Sequence, residues 1–217
     1  MENQVKGTRR RVLVVAVVSQ KGGAGKTTIA RNLAVAAGRD GWSVGVVDTD
    51  PQGSLSGWHD RRAADTPLVA ALQGPLSDAV GALSEAGCDL IFIDTPPQQH
   101  PVIGEAVAAA ALALTPVRPS PDDLDAVGPT LDIIEAAGRP FCFVVTQATA
   151  NTSMLTETIA ALAAHGRVAP AVLFTRQDYA RAARDGLGVT ESPGKAADDM
   201  AALWRYVADL LKKGHKE

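Results

Sequence analysis

Apolar residues gather along this chain in two kinds of segment. Short runs rich in Val, Ile, Leu and Phe stand at residues 11–19, 44–48, 90–94, 112–117, 141–146 and 171–175, with 67–72 a less regular seventh. These runs are continuous rather than alternating, the pattern of parallel strands covered on both faces. Longer Ala- and Leu-rich stretches at helical spacing lie between them, at 26–39, 76–86, 101–110, 122–137, 153–165, 178–185 and 196–213. Gly38, Gly87, Gly138 and Gly166 each stand just past such a stretch, where a left-handed residue commonly closes a helix. The alternation predicts a three-layer α/β fold, a mostly parallel twisted sheet flanked by helices with right-handed crossovers. Ligands of such sheets sit at the carboxyl ends of the strands. With no internal repeat or linker, the expected organisation is a flexible basic segment over residues 1–10 and one domain over 11–217.

Composition narrows the function classes. A chain of 217 residues with 46% hydrophobic residues buries a full core. Aromatics at 4% are too few for a surface that stacks single-stranded bases. A net charge of -3 leaves any nucleic-acid contact to a local patch. Cys88 and Cys142 have no near partner, which points away from a disulfide scaffold and a CxxC metal site. The histidines at 59, 100, 165 and 215 show no metal-ligand spacing. Arg9-Arg10-Arg11 followed by the apolar run Val12 to Val18 imitates a secretion signal, but a glycine cluster with Lys21 follows in place of a cleavage site. A buried strand explains the run better, no stretch is long enough to span a bilayer, and the expected location is the cytoplasm.

The first strand leads into Ser19-Gln20-Lys21-Gly22-Gly23-Ala24-Gly25-Lys26-Thr27-Thr28 and then a helix. Glycines let successive backbone N–H groups turn inward to form an anion nest, and the helix adds its positive end. Lys26 is placed to reach β- and γ-phosphates, and Thr27 to offer a hydroxyl to Mg2+. The generic GxxxxGK[ST] pattern has glycine where this chain has Gln20, so the loop is a variant. Lys21, Gly22, Gly23, Ala24, Gly25, Lys26, Thr27 and Thr28 are the expected ATP-binding residues. Two acidic stations accompany the loop. The second strand ends in Asp48-Thr49-Asp50-Pro51-Gln52-Gly53, where a carboxylate is placed to hold Mg2+ or orient a water. Leu90-Ile91-Phe92-Ile93 delivers Asp94 to a strand end, the arrangement that holds Mg2+ beside phosphates.

KGGAGKTT together with DTDPQG and D-T-P-P resembles the ParA/MinD family of variant Walker-type P-loop ATPases, and most of the chain shares the likeness. The resemblance implies that Lys21 reaches across a homodimer interface to the other subunit's ATP, with the nucleotides sandwiched between subunits. It also implies that Lys21, Lys26 and Asp50 are catalytic, Asp50 positioning the attacking water. Mg2+ would then be held by Thr27, Asp48 and Asp94, and the base flanked by Thr175, Arg176 and Gln177. The strip Thr115 to Leu124 resembles a proline-bearing segment of the small, ParF-like plasmid-partition proteins, which lack an N-terminal helix-turn-helix. Members of that type leave sequence recognition to a separate centromere-binding or adaptor protein that stimulates slow hydrolysis. They bind double-stranded DNA nonspecifically and associate with the nucleoid when ATP-bound. Arg176, Arg181, Arg184, Arg205, Lys195, Lys212 and Lys213 are the candidate DNA contacts here, although interleaved aspartates fit a solvated mixed-charge face equally well. The alternatives are a MinD-like membrane-associated ATPase, an accessory ATPase of conjugative DNA transfer, and a metabolic enzyme of the same fold. A membrane tail would have to come from the stripe Met200, Leu203, Trp204, Val207, Leu210 and Leu211, whose spacing suits core packing better.

Overall fold

One parallel sheet gathers six of the seven apolar runs, in the order β3-β2-β4-β1-β5-β6. This is a computed structural model that describes residues 12–98 and 100–214; Arg11 and the segment expected to be flexible lie outside the described residues. The strands are β1 (Leu13–Val17), β2 (Val44–Asp48), β3 (Leu68–Ala71), β4 (Leu90–Asp94), β5 (Leu112–Val117) and β6 (Phe141–Val145). The less regular run became β3, paired with β2 at the sheet edge. β2, β4 and β5 are buried along their whole length, as continuous apolar runs require.

Alternate strand residues feed two cores. On one face Val15, Val17, Phe92 and Leu114 pack with Ile29 and Leu33 of α1 (Lys26–Arg39) and with α9 (Lys195–Gly214). Met200, Leu203, Trp204, Val207 and Leu211 of α9 are all buried there, with Leu210 packed against them, so the stripe is core. On the other face Val14, Ala16, Ile91 and Ile93 meet α3 (Leu76–Glu85), α4 (Pro101–Ala109) and Ile134 of α6 (Val127–Ala136). α7 (Ser153–Ala163) and α8 (Gln177–Arg184) complete the longer helices.

Four details depart from expectation. Residues 171–175 form no strand: the chain here makes only isolated bridges, Val168 to Phe143 of β6 and Phe174 to Ala148 just past it. Ala169 and Leu173 donate to Phe143 and Val145, so four residues run against two, and Pro170 among them has no N–H to continue a ladder. The stretch 122–137 divides at Ala126 into α5 (Pro121–Asp125) and α6. α2 (Ser54–His59) is too short to show a helical period and is fixed by the fully buried Leu55 and Trp58. Of the expected helix-closing glycines, Gly87 and Gly138 have positive φ, while Gly166 does not and α1 runs past Gly38 so that Gly41 (φ 91°) turns the chain.

Candidate phosphate and nucleoside site

β1 lies between β4 and β5, and β4 between β2 and β1, so three neighbouring strands end together. The register sets Asp94 opposite both Val17 and Asp48. The loop that leaves β1 therefore emerges beside both acidic stations, which are far apart in sequence.

The loop is braced from outside. Thr146 Oγ1 donates to the Ala24 carbonyl at 2.8 Å and Gln147 Nε2 to the Gly23 carbonyl at 2.6 Å. With those carbonyls held toward the end of β6, the amide N–H groups are turned the other way, into the loop. Gly23 (φ 75°) and Gly25 (φ 99°) occupy left-handed conformations that a side chain would strain. Gln20, the departure from the generic pattern, is another brace: its Nε2 donates to Pro129 O at 3.0 Å and its N–H to Thr130 Oγ1 at 3.3 Å. Lys26 is buried, and its Nζ donates to the Lys21 carbonyl at 3.2 Å. Burial lowers the Lys26 pKa, while Asp94 and Asp50 pull it back up. Lys21 is half-buried, and among the described residues its amine has no hydrogen-bond or ion-pair partner.

The acidic residues divide sharply in their surroundings. Asp48 is engaged within the chain: Oδ2 accepts from Ser56 N–H and Ser56 Oγ, both at 2.9 Å, and Oδ1 from Asp50 N–H at 3.2 Å. Its carboxylate thereby fixes the start of α2 and the position of Asp50. Asp50 is half-buried, with Oδ1 accepting from Gln52 N–H at 2.9 Å. Asp94 is fully buried, and among the described residues neither carboxylate oxygen has a well-formed hydrogen bond. Burial pushes its carboxyl up to about 7; the Thr27 hydroxyl and Lys26 hold it down, and Asp48 and Asp50 push it further up.

An unpartnered buried carboxylate is costly unless a cation meets it. Thr27 and Asp94 offer hard oxygen donors, which suit Mg2+. Among the described residues no three His, Cys, Asp or Glu side chains converge as a metal cage. Mg2+ bound here would take its remaining oxygens from phosphate and water, as it commonly does. The residues fit the ion.

Beside the loop opens a cavity of about 340 Å³, lined by Gly25, Thr28, Arg31, Thr146, Gln147, Phe174, Thr175, Arg176 and Tyr179 among others. Thr175 and Arg176, expected beside the base, both line this cavity. Gln177 is not in the lining, and its Oε1 accepts from Arg181 instead. Tyr179 and Arg31 were not foreseen. The Tyr179 hydroxyl and Arg31 Nε are both buried without a hydrogen-bond partner among the described residues, and burial lowers the Arg31 pKa to about 10. Thr146 and Gln147 had a legible signal, since they follow a strand's carboxyl end. A larger recess of about 550 Å³, at the amino ends of β2 and β3, holds none of the expected site residues.

The candidate DNA contacts also divide. Arg176 pairs with Asp199 (2.8 Å), Arg184 with Asp185 (2.7 Å) and Arg181 more loosely with Asp178 (3.9 Å). Arg205, Lys212 and Lys213 are exposed on α9 with no ion-pair partner among the described residues, and Lys195 opens that helix.

A parallel sheet that delivers a glycine loop and two carboxylates to one edge has the P-loop nucleoside-triphosphatase fold. Residues 15–212 match the family described as the CobQ/CobB/MinD/ParA nucleotide binding domain. A maintenance of carboxysome distribution protein A from Gloeobacter kilaueensis is 32% identical over 207 residues, 92% of this chain and 94% of that protein. Its namesake from Halothiobacillus neapolitanus is 36% identical over 134 residues, 59% of this chain and 61% of that protein. The ATP complex of a singly substituted Cyanothece McdA superimposes with a TM-score of 0.73 at 18% identity, covering 93% of this chain and 96% of that one. The chain belongs to the CobQ/CobB/MinD/ParA nucleotide-binding family and is an ATPase of the ParA/MinD type.

Proposed function

We propose that the chain is a positioning ATPase that dimerises around MgATP, binds duplex DNA without sequence preference, and lets go when an adaptor protein stimulates hydrolysis. The observation that carries this reading is Lys21, a cation at the mouth of the phosphate loop that none of the described residues engages through its amine. A lysine so placed is available to a second subunit's nucleotide. The loop N–H groups and Lys26 hold the β- and γ-phosphates, and the nucleoside lies in the cavity of Thr175, Arg176 and Tyr179. Thr27 and Asp94 would hold Mg2+, which would supply positive charge to neutralise the phosphates. Asp50 orients the attacking water, and Asp48 acts behind it through Ser56 and the Asp50 amide. Phosphoryl transfer needs little more than this positioning and charge neutralisation.

DNA contact falls on Arg205, Lys212 and Lys213, since Arg176, Arg181 and Arg184 are already matched by aspartates. Dimerisation doubles the patch, so ATP controls DNA affinity by controlling assembly. In the cell the ATP-bound form would sit on the nucleoid, and the ADP form in the cytoplasm. The names of the two relatives support a cargo that is a large body whose distribution must be maintained. None of the described helices is long and apolar enough to cross a membrane.

The test is binding to arbitrary duplex DNA with ATP, ADP or no nucleotide, at two salt concentrations, alongside Lys21→Gln and Asp50→Ala. Salt-sensitive binding only with ATP, kept by Asp50→Ala and lost by Lys21→Gln, is the expected pattern. Equal binding in all three nucleotide states would refute the switch, and an unchanged dimer in Lys21→Gln would refute action across the interface.

A further inference from the structure

Arg118 follows β5, in the proline-bearing strip that the sequence likeness left without a role. Its guanidinium is held as a fork. Nε donates to Asp123 Oδ1 and Nη2 to Asp123 Oδ2, each at 2.9 Å. Asp123 is only 3% exposed and is fixed in turn by Ser120 Oγ at 2.7 Å. Pro119 and Pro121 stiffen the turn on either side. The third nitrogen, Nη1, has no hydrogen-bond partner among the described residues. It faces the phosphate loop, where a Cβ built on Gly23 would lie 3.7 Å away.

A purely structural brace accounts for the fork on Asp123, and for nothing beyond it. What remains is a guanidinium whose orientation is already set, so a further hydrogen bond from it costs little side-chain entropy. The direction of the nucleotide says which phosphate it meets. The nucleoside cavity opens at Gly25 and Thr28, so the triphosphate runs from there toward Gly23 and Lys21. Gly23 stands at the terminal-phosphate end.

We propose that Arg118 is a further residue of the nucleotide site, its Nη1 donating to the γ-phosphate of bound ATP, with Asp123 and Ser120 as positioning residues. The proposal rests on the reading of this loop as the ATP site and adds a way to tell ATP from ADP. A fixed donor at the terminal phosphate also meets the charge that spreads over its oxygens during transfer.

Arg118→Ala, Arg118→Lys and Asp123→Asn in the full chain test it. Calorimetry with Mg2+ would compare a non-hydrolysable ATP analogue with ADP. Lysine keeps the charge, but one nitrogen cannot both grip Asp123 and reach the loop. Affinity for the analogue should fall roughly tenfold or more in both Arg118 variants, with ADP affinity within about twofold of wild type. Asp123→Asn should fall between, because the fork loosens while the cation stays. An unchanged analogue-to-ADP ratio, or an equal loss of both ligands, would overturn the proposal. Retained ADP binding shows that the variant is folded and the loop intact, so that result leaves the ATP-site reading standing. Wild type that bound neither nucleotide would instead defeat that reading.

Discussion

Replacing Asp94 by asparagine measures the charge imbalance of the site before any ligand arrives. In the folded protein burial raises this carboxyl from 3.8 to about 7. The folded state therefore holds the proton more tightly than the unfolded chain does. Stability contributed by this group is fully present below pH 3.8 and is lost as pH rises through about 7. That pKa difference corresponds to about 4 kcal/mol over the whole window, of which roughly 2 to 3 kcal/mol falls between pH 8 and pH 5. Asp123 and Glu191 shift the opposite way, in part through their arginine partners, so their contributions change only at pH values below this window. Asparagine has nearly the same shape and cannot ionise. Urea denaturation of nucleotide-free protein in chelator, at four pH values from 5 to 8, separates the two. Wild type should gain roughly 2 to 3 kcal/mol relative to Asp94→Asn on going from pH 8 to pH 5. Parallel profiles for the two proteins would refute the picture of an uncompensated buried carboxylate waiting for a cation.

The other expectations concern the loop and the contacts that Arg61 and Arg62, just after α2, make with residues 186–191. Lys26→Ala removes the buried amine that the proposed site turns toward the phosphates and should weaken ATP binding by about 100-fold or more, read with a fluorescent nucleotide. Arg62 is 5% exposed, forks onto Glu191 at 2.7 and 2.8 Å and also donates to the Gly186 carbonyl. Arg62→Ala strands the Glu191 carboxylate and should cost about 3 kcal/mol in urea denaturation, whereas a loss under about 0.5 kcal/mol would make the pair ornamental. Gly186 has φ 69° and sits against the backbone of Arg61 and Arg62, so a methyl group has no room. Gly186→Ala should cost about 2 kcal/mol or more, seen as a thermal midpoint lowered by several degrees.

How much of this was legible depended on whether the determining interaction was local. The phosphate loop could be read because glycines, Lys26, Thr27 and the helix start must follow one another in the chain. Asp94 could be read because four apolar residues bury a strand and leave its last residue at the edge. Its distinction from Asp48 could not be read. Both are acids ending parallel strands, and Ser56, on a helix with no visible period, together with the Asp50 amide separates an engaged carboxylate from an unpartnered one. Residues 171–175 look like a strand in isolation, and Pro170 mattered only once the segment had to run beside β6. Arg118 is the extreme case. The prolines around it suggest a stiff loop, but the buried Asp123 that turns its fork and the glycine that makes room beside it are set by tertiary packing. Sequence periodicity thus locates strand ends and the charges they carry. Which of those charges stays unpaired is decided by neighbours brought in from elsewhere in the chain, and an unpaired charge in this fold is where a ligand is expected to bind.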